Sequence, residues 1–358
     1  MSKQLDIGQD LKGLMLDEPK QLVNALDLCG MELGIWGING LSDNRMRRFM
    51  SKRARKAAYI EFDIPKKTGG VRRISAPVEE LKEIQQALNL FLQAVCEVSP
   101  AAMGFVPGRS IVTNAEAHVG SSVIFNCDLK DFFPSITKTM VRKALTLELR
   151  HNSPSRDVIN RICNLVTAPR PDGVEALPQG APTSPVISNL VLKQLDSRLI
   201  GFADKNGYRY TRYADDITFS RTGGYSSDDP IKSDTILAII EDSGFTVNPK
   251  KTVIQTPSTR REVTGLKVGK KVNVDRKYVK HLRVLLYLWE TRGLTEAQMI
   301  VRNEFLHGSN ADLTKIINGK INFLRMVKGH EDPTYRRFKH RYRTLMKQLK
   351  KDNNTTQG

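Results

Sequence analysis

A chain of 358 residues with 40% hydrophobic content can bury more than one core, which sets it apart from disordered chains and suggests two or three domains. Its 56 Lys and Arg against 38 Asp and Glu leave a formal charge of +18, so a polyanionic partner is expected, nucleic acid ahead of a membrane surface. No run of about 18 apolar residues occurs and Met1-Ser2-Lys3-Gln4-Leu5-Asp6 lacks a signal-peptide core, so neither membrane insertion nor secretion is expected. Cys29, Cys96, Cys127 and Cys163 are too scattered for a zinc site or a disulfide framework, and read as buried thiols in a reduced cytoplasm.

In chain order, residues 1–57 read as helical and end in a basic stretch, Arg45 to Lys56, suited to phosphate contact. Tyr59 to Pro77 holds two alternating runs joined at Gly69-Gly70, a hairpin with cations at its tip and base. Cationic hairpins of this kind suit a triphosphate, through backbone N–H groups and Lys or Arg side chains. Val78 to Val98 turns helical, with Leu81, Ile84, Leu88, Phe91, Leu92 and Val95 on one side. Gly104 to Ile111 is a glycine-punctuated loop. His118 beyond it, taken alone, reads more readily as a hydrogen-bonded structural residue than as a ligand.

Ser122 to Asp128 reads as a buried strand with an acid at its end. Asp131 offers the same chemistry three residues on, but a strand end holds a ligand more rigidly. Helices are expected over 140–170, then a rigid loop, Leu177 to Pro185, in which Thr183 or Ser184 can cap the next helix with Pro185 near its first position. In that helix Ile187, Val191, Leu195 and Leu199 form a core-facing stripe, with Asn189, Lys193 and Arg198 off it. Tyr210 to Phe219 reads as two short strands with Ala214-Asp215-Asp216 at the turn. A solvated acidic turn would be the plain explanation. Adjacent carboxylates repel, however, and a divalent cation removes the conflict, as Mg²⁺ does when it takes carboxylate and phosphate oxygens together. After a polar loop over 221–234 comes a helix from Asp234 to Ser243 stopped by Gly244. Two strand-like segments follow, Thr246 to Thr252 and Val263 to Val268. From Asp275 the chain is helical and increasingly basic, and Asn353 to Gly358 reads as a disordered tail. Asp128 with Asp215 and Asp216 could hold two metals about 3.5 to 4 Å apart, one at an attacking hydroxyl and one at a pyrophosphate leaving group.

These motifs together resemble a reverse transcriptase. Gly69-Gly70-x-Arg72-Arg73-Ile74, Asp128 followed by Phe133, Leu177-Pro178-Gln179-Gly180, Tyr213-Ala214-Asp215-Asp216 and Asn248 to Lys251 run in that family's order. Within it, Asn114-Ala115-x-x-His118 and Val263-Thr264-Gly265 are similar to two signatures of bacterial retron reverse transcriptases. The resemblance implies an α+β right-hand polymerase of fingers, palm and thumb, the palm a small antiparallel sheet backed by helices. Its parts would be an N-terminal helical basic extension over 1–57, fingers over 58–120 with part of 138–178, a palm over 121–270 and a helical basic thumb with its tail over 271–358.

By the same resemblance Asp128, Asp215 and Asp216 are the catalytic acids and ligate two Mg²⁺, with Mn²⁺ able to substitute. Gln179 and Phe133 face the incoming dNTP, and Lys66, Arg72 and Lys250 meet its triphosphate, with Lys67, Arg73 and Lys251 as neighbours able to take their places. Asn114, His118, Val263, Thr264 and Gly265 are assigned to RNA recognition, and Arg336, Arg337, Arg341 and Arg343 to phosphates on a basic helix. The implied activity is copying a cognate structured non-coding RNA into multicopy single-stranded DNA, primed from a 2′-hydroxyl of that RNA, in anti-phage defence beside an effector protein encoded nearby.

Two other readings compete. A group II intron-like or diversity-generating reverse transcriptase shares the palm motifs, but intron enzymes carry a maturase region beyond the thumb and the retron signatures favour the retron. A non-catalytic RNA-binding scaffold on the same fold would have lost metal ligands, whereas all three acids stand here.

Overall fold

The computed structural model describes residues 7–36, 40–66, 69–224, 229–232, 234–256, 258–304 and 312–355. The expectations for residues 1–6, for Lys67 in the first hairpin, for part of the 221–234 loop and for the last three residues of the tail lie outside the described residues. The chain divides into two compact units. The first takes Met1–Ser110, Phe125–Phe219 and Ser226–Val253, the second Ile111–Ile124, Ser220–Tyr225 and Ile254–Gly358. Residues 111–124 and 254–270, grouped on sequence with fingers and palm, thus belong to the unit that holds the C-terminal helices.

Strands are numbered in chain order: β1 (Tyr59–Pro65), β2 (Val71–Pro77), β3 (Val123–Asp128), β4 (Ala168–Pro169), β5 (Glu175–Ala176), β6 (Arg209–Tyr213), β7 (Asp216–Arg221), β8 (Val253–Gln255), β9 (Glu262–Val263), β10 (Leu266–Val268) and β11 (Val272–Asn273). In the first unit β1 and β2 form the expected antiparallel hairpin, Tyr59 opposite Pro77 and Pro65 opposite Val71. A four-stranded sheet runs in the order β6-β7-β3-β8. Its hydrophobic side chains Ile217 and Phe219 are fully buried, as is the flank of the helix Glu79–Val95 bearing Ile84, Leu88 and Phe91.

The N-terminal helices are Ile7–Lys12, Pro19–Glu32, Asp43–Arg47 and Lys52–Ala57, so the basic stretch is two short helices. Ser51 starts the second by accepting the Ala54 N–H at 3.1 Å, the side-chain cap that lets a helix restart. Much of its charge is spent inside the unit. Arg45 pairs with Glu83, Arg48 with Glu80, and Arg55, only 3% exposed, with Glu175, which leaves far less of the stretch for phosphate than the raw charge suggests.

Downstream, the expected single helix from Ser184 is two, Ser184–Val191 and Lys193–Lys205, meeting at Leu192. The expected hydroxyl cap is absent: Thr183, the residue at the cap, makes no side-chain cap bond, and Ser184 Oγ donates to Pro178 O at 2.7 Å. Asn189, placed off the apolar stripe by spacing, is fully buried, and so is Asp196. Both are drawn inward by a buried arginine on β6.

In the second unit a single apolar cluster joins the helix Ile111–Glu116 and the sheet β11-β10-β9 to the C-terminal helices, through Ala115, Val263, Leu266, Leu282, Leu286, Ile317, Leu324 and Phe338. The long helix Arg276–Glu304 breaks at Gly293, whose φ of 73° and ψ of 169° are not helical. Leu313–Lys328 and Pro333–Thr355 complete the bundle, so Asn353 to Thr355, expected as part of a disordered tail, instead continue the last helix.

Candidate active site

Three backbone hydrogen bonds bring the acids together. β3 ends at Asp128, and the next residue, Leu129, donates its N–H to Asp215 O at 3.0 Å. On the other side the Asn248 N–H donates to Asp128 O at 2.8 Å, and the Lys130 N–H to Thr246 O at 2.8 Å. The strand end is therefore held between the Ala214-Asp215 turn and the 246–251 segment, and Asp128 is the strand-end acid, as its position implied. Asp131 is exposed in a left-handed conformation (φ 48°) at the start of the one-turn helix Phe132–Ser135. Asp216 is the first residue of β7 and not part of the turn.

The carboxylates repel as expected. Burial, then the charges of Asp216 and Asp128, push Asp215 up to about 7. Burial, then Asp128, push Asp216 up to about 6. A cation is already present in the form of Lys251, whose Nζ donates to Asp128 Oδ2 at 2.6 Å while Asn248 Nδ2 reaches Oδ1 at 3.4 Å. Burial works against the ammonium, but the hydrogen bond to Asp128 and the charges of all three acids outweigh it and raise the Lys251 pKa. The lysine that meets the acids is thus Lys251. Lys250 is exposed, and its backbone N–H donates to Asn248 Oδ1 at 3.2 Å.

Around this centre, the loop carrying Gln179 is fixed to the first hairpin by the Ser75 N–H donating to Gln179 O at 2.8 Å. Gly180 sits at φ 132° with Ile74 and Ser75 so close that an added Cβ would lie 3.0 Å from Ile74, so this turn demands glycine. Phe133 is half-buried, with its ring centroid 5.0 Å from Phe132 and 6.2 Å from Phe105. Lys66 and Arg72 are exposed on the hairpin, whereas Arg73 is held by Glu61 at 2.5 Å. Of the two arginines, Arg72 is the one left for a ligand.

The residues assigned to RNA recognition lie in the second unit and fall into two groups. Asn114, His118 and Val263 are fully buried. His118 Nδ1 lies 2.6 Å from Ser220 Oγ, Asn114 Nδ2 donates to Thr264 Oγ1 at 3.4 Å, and Thr264 Oγ1 donates to Ile111 O at 3.3 Å. Thr264 and Gly265, at φ 47° and 78°, form the two-residue turn between β9 and β10, which requires positive φ at both positions. The two signatures therefore lock onto each other as an internal fastening, and the lone histidine has the structural role its type most often takes. On the helix Pro333–Thr355, Arg336, Arg337 and Arg343 are exposed, but Arg341 is clamped by both oxygens of Glu290 at 2.7 and 2.5 Å. Arg336 also pairs with exposed Glu331. Phe338 is fully buried and Tyr335 nearly so, and both belong to the core.

Residues 64–268, more than half of the chain, match the family model for reverse transcriptase (RNA-dependent DNA polymerase), and the chain belongs to that family. It is an RNA-directed DNA polymerase with the α+β right-hand fold of that class. Its relatives are more particular: it is 36% identical over 299 residues to the retron Mx65 reverse transcriptase of Myxococcus xanthus, covering 78% of this chain and 68% of that one. It is 37% identical to the retron Mx162 reverse transcriptase of the same organism and 36% identical to the retron Ec86 reverse transcriptase of Escherichia coli. These matches cover 69% and 61% of this chain, which spans 56% and 65% of those relatives' lengths. The chain thus belongs among the bacterial retron reverse transcriptases. Among solved structures, telomerase from Candida tropicalis with a fragment of telomeric RNA aligns with a TM-score of 0.41 at 12% identity, over 79% of this chain and 56% of that one.

Proposed function

We propose that this retron reverse transcriptase copies a cognate structured non-coding RNA into multicopy single-stranded DNA, starting from a 2′-hydroxyl of that RNA, by two-metal nucleotidyl transfer. The observation that carries the chemistry is the convergence of Asp128, Asp215 and Asp216 where β3 meets the turn after β6, with their mutual repulsion offset in part by Lys251. Among the described residues no three His, Cys, Asp or Glu side chains close into a ready metal cage. An open set fits Mg²⁺, which takes one or two carboxylates and completes its shell with water and substrate phosphate, and Mn²⁺ is able to substitute. Held by Asp128, Asp215 and Asp216, two such ions would supply charge neutralisation at the attacking hydroxyl and at the pyrophosphate leaving group. The chain's own residues position the reactants: Lys66 and Arg72 take the triphosphate, with Lys251 in the place given to Lys250 on sequence, and Phe133 and Gln179 bound the nucleotide.

In this assignment the fingers are the first hairpin with the helices packed on it, the palm is the four-stranded sheet and the thumb is the C-terminal bundle. The buried signatures Asn114, His118 and Val263 to Gly265 shape the unit that grips RNA, and exposed arginines make the phosphate contacts. Replacing Arg336, Arg337 and Arg343 together by Gln should weaken RNA binding and flatten the logarithmic salt dependence by about 2 units, at roughly 0.7 to 0.9 per phosphate contact. Filter binding between 50 and 300 mM salt (about the range over which such slopes are read) measures it, and an unchanged slope would move the RNA elsewhere.

The retron reading also carries a role in anti-phage defence beside an effector encoded nearby, and a cytoplasmic site in keeping with four buried free cysteines. The product tests the proposal. Co-expressed with its own upstream RNA, the protein should copurify with single-stranded DNA whose gel mobility shifts after treatment with a 2′-5′ debranching enzyme. DNA indifferent to debranching means conventional priming, and leaves the polymerase assignment intact.

A further inference from the structure

The catalytic turn rests on a buried polar assembly that the nucleotide chemistry does not itself use. Arg212, the penultimate residue of β6, is fully buried, and so are Asp196 and Asn189 beneath it. Arg212 Nε donates to Asp196 Oδ1 at 2.8 Å and Nη2 to Oδ2 at 2.7 Å, a two-pronged pairing, and Tyr210 Oη donates to Asp196 Oδ1 at 2.7 Å. The remaining terminal nitrogen, Nη1, donates at 3.1 Å both to Asn189 Oδ1 and to the carbonyl of Ala214. Ala214 is the residue before the acids, held at φ 55°, a left-handed conformation that an alanine adopts only under constraint.

The segment Ala101 to Gly104, which leads into the glycine-punctuated loop, closes on the same residue. The Arg212 N–H donates to Ala101 O at 2.8 Å and the Met103 N–H to Arg212 O at 2.7 Å, so the segment runs beside β6 as a short added strand. Asn189 Nδ2 donates to Gly104 O at 2.9 Å. An added Cβ on Gly104 would lie 2.7 Å from Ala214 N, closer than real atoms approach. Arg109, across the loop, donates to the carbonyls of Ser99, Pro100 and Ala102 and so fixes its curvature.

We propose that Arg212, locked by Asp196 and Asn189 and faced by Gly104, is the positioning residue of the metal centre: it fixes the Ala214 carbonyl and thereby the direction in which Asp215 and Asp216 leave the turn. The proposal rests on the reading of those acids as metal ligands. An arginine is needed because only a planar fork can pair with a carboxylate on one side and still reach a carbonyl on the other, a geometry a lysine ammonium cannot reproduce. Burial is needed because a solvated side chain could not hold the turn to the fraction of an ångström that ligand geometry demands.

The test uses the full-length protein on a simple primed template, with folding followed by circular dichroism and activity expressed per active site from burst amplitude. Arg212→Lys keeps the buried charge but gives up the fork. It is expected to raise the Mg²⁺ concentration for half-maximal activity severalfold and to lower per-site kcat by about 10²-fold, with KM for dNTP within about twofold, the pattern of misplaced rather than missing groups. A merely structural role would instead lower the melting temperature and the active fraction, and leave the metal midpoint where it was. Gly104→Ala pushes on the same turn without uncovering a charge, so it decides the matter should Arg212→Lys fail to fold. If the folded variants titrate with Mg²⁺ like wild type, the positioning role is wrong. If Asp215→Asn is as active as wild type, it is the assignment of the acids that fails.

Discussion

Asp215→Asn is expected to cost on the order of 10³-fold or more in nucleotide incorporation and, in EDTA, to leave a protein more stable than wild type. The first effect follows from the loss of several kcal/mol of charge stabilisation when a ligand's negative charge is removed without changing its size. Asp128→Asn and Asp216→Asn should behave alike in activity, whereas Asp204→Asn, at the end of a helix and remote in role, should not. The second effect follows from the electrostatics of the turn. Burial and two neighbouring carboxylates raise Asp215 to about 7, so at pH 8 the metal-free fold holds an ionised carboxylate that it accommodates less well than the unfolded chain does.

A carboxyl whose folded pKa lies above its unfolded one begins to destabilise the fold as pH rises through the unfolded value, and the penalty is complete once pH exceeds the folded one. The penalty fades as pH falls through the interval from about 7 towards the ordinary carboxylate range. Since Asp215 is only partly buried and Lys251 offsets its charge, the gain in Asp215→Asn should be on the order of 1 kcal/mol. Melting curves in EDTA at pH 8 and pH 6 check the sign: wild type should gain on acidification relative to the variant. Wild-type levels of labelled dNTP incorporation by the variant would remove Asp215 from the centre.

Phe133→Val is expected to stay folded and to lower discrimination against ribonucleotides by about 10- to 200-fold, the range available from removing hydrophobic bulk in a pocket. The two neighbouring phenylalanines divide the labour. Phe132 is 6% exposed and serves the core, while Phe133 is half-buried and leans on Phe105, itself 41% exposed at an unusual φ of 62°. A ring set between an open surface and an exposed aromatic has room for a sugar beside it. Were Phe133 a core residue instead, truncation to Ala would destabilise by roughly 3 to 5 kcal/mol, and Phe133→Val would discriminate as wild type does. Single-nucleotide incorporation with paired dNTP and rNTP substrates separates the two.

Much of this was legible in the sequence because it depends on local pattern. The alternation across Gly69-Gly70 gave the hairpin and the apolar spacing from Leu81 to Leu92 gave a helix. Asp128 could be placed at a strand end because the apolar run stops there. What escaped depends on partners far along the chain. Asn189 reads as the off-stripe side of a helix, since nothing nearby announces an arginine 23 residues on that draws it, and Asp196 with it, inward. Lys250 and Lys251 are equivalent in sequence, and only the short helical turn Pro249–Lys251 decides which one reaches Asp128. Spacing could not show that Asn114 and Thr264, 150 residues apart, are each other's partners.

The first hairpin has a bearing on how the enzyme is handled. Among the described residues β1 and β2 form a sheet of two strands, and Ile60, Phe62, Ile64 and Val71 stand 44 to 61% exposed on them. A ribbon of two strands with apolar side chains in water is an invitation to a third strand from another molecule, and what deters it is the like charge of Lys66 and Arg72 on the approaching copies. Salt screens that repulsion over about 10 Å at 0.1 M and shorter distances above it, while leaving the apolar attraction intact. Colloidal stability of the nucleic-acid-free protein should therefore fall as ionic strength rises, so the concentrated salt commonly used to strip RNA from a basic protein is the condition most apt to make it aggregate.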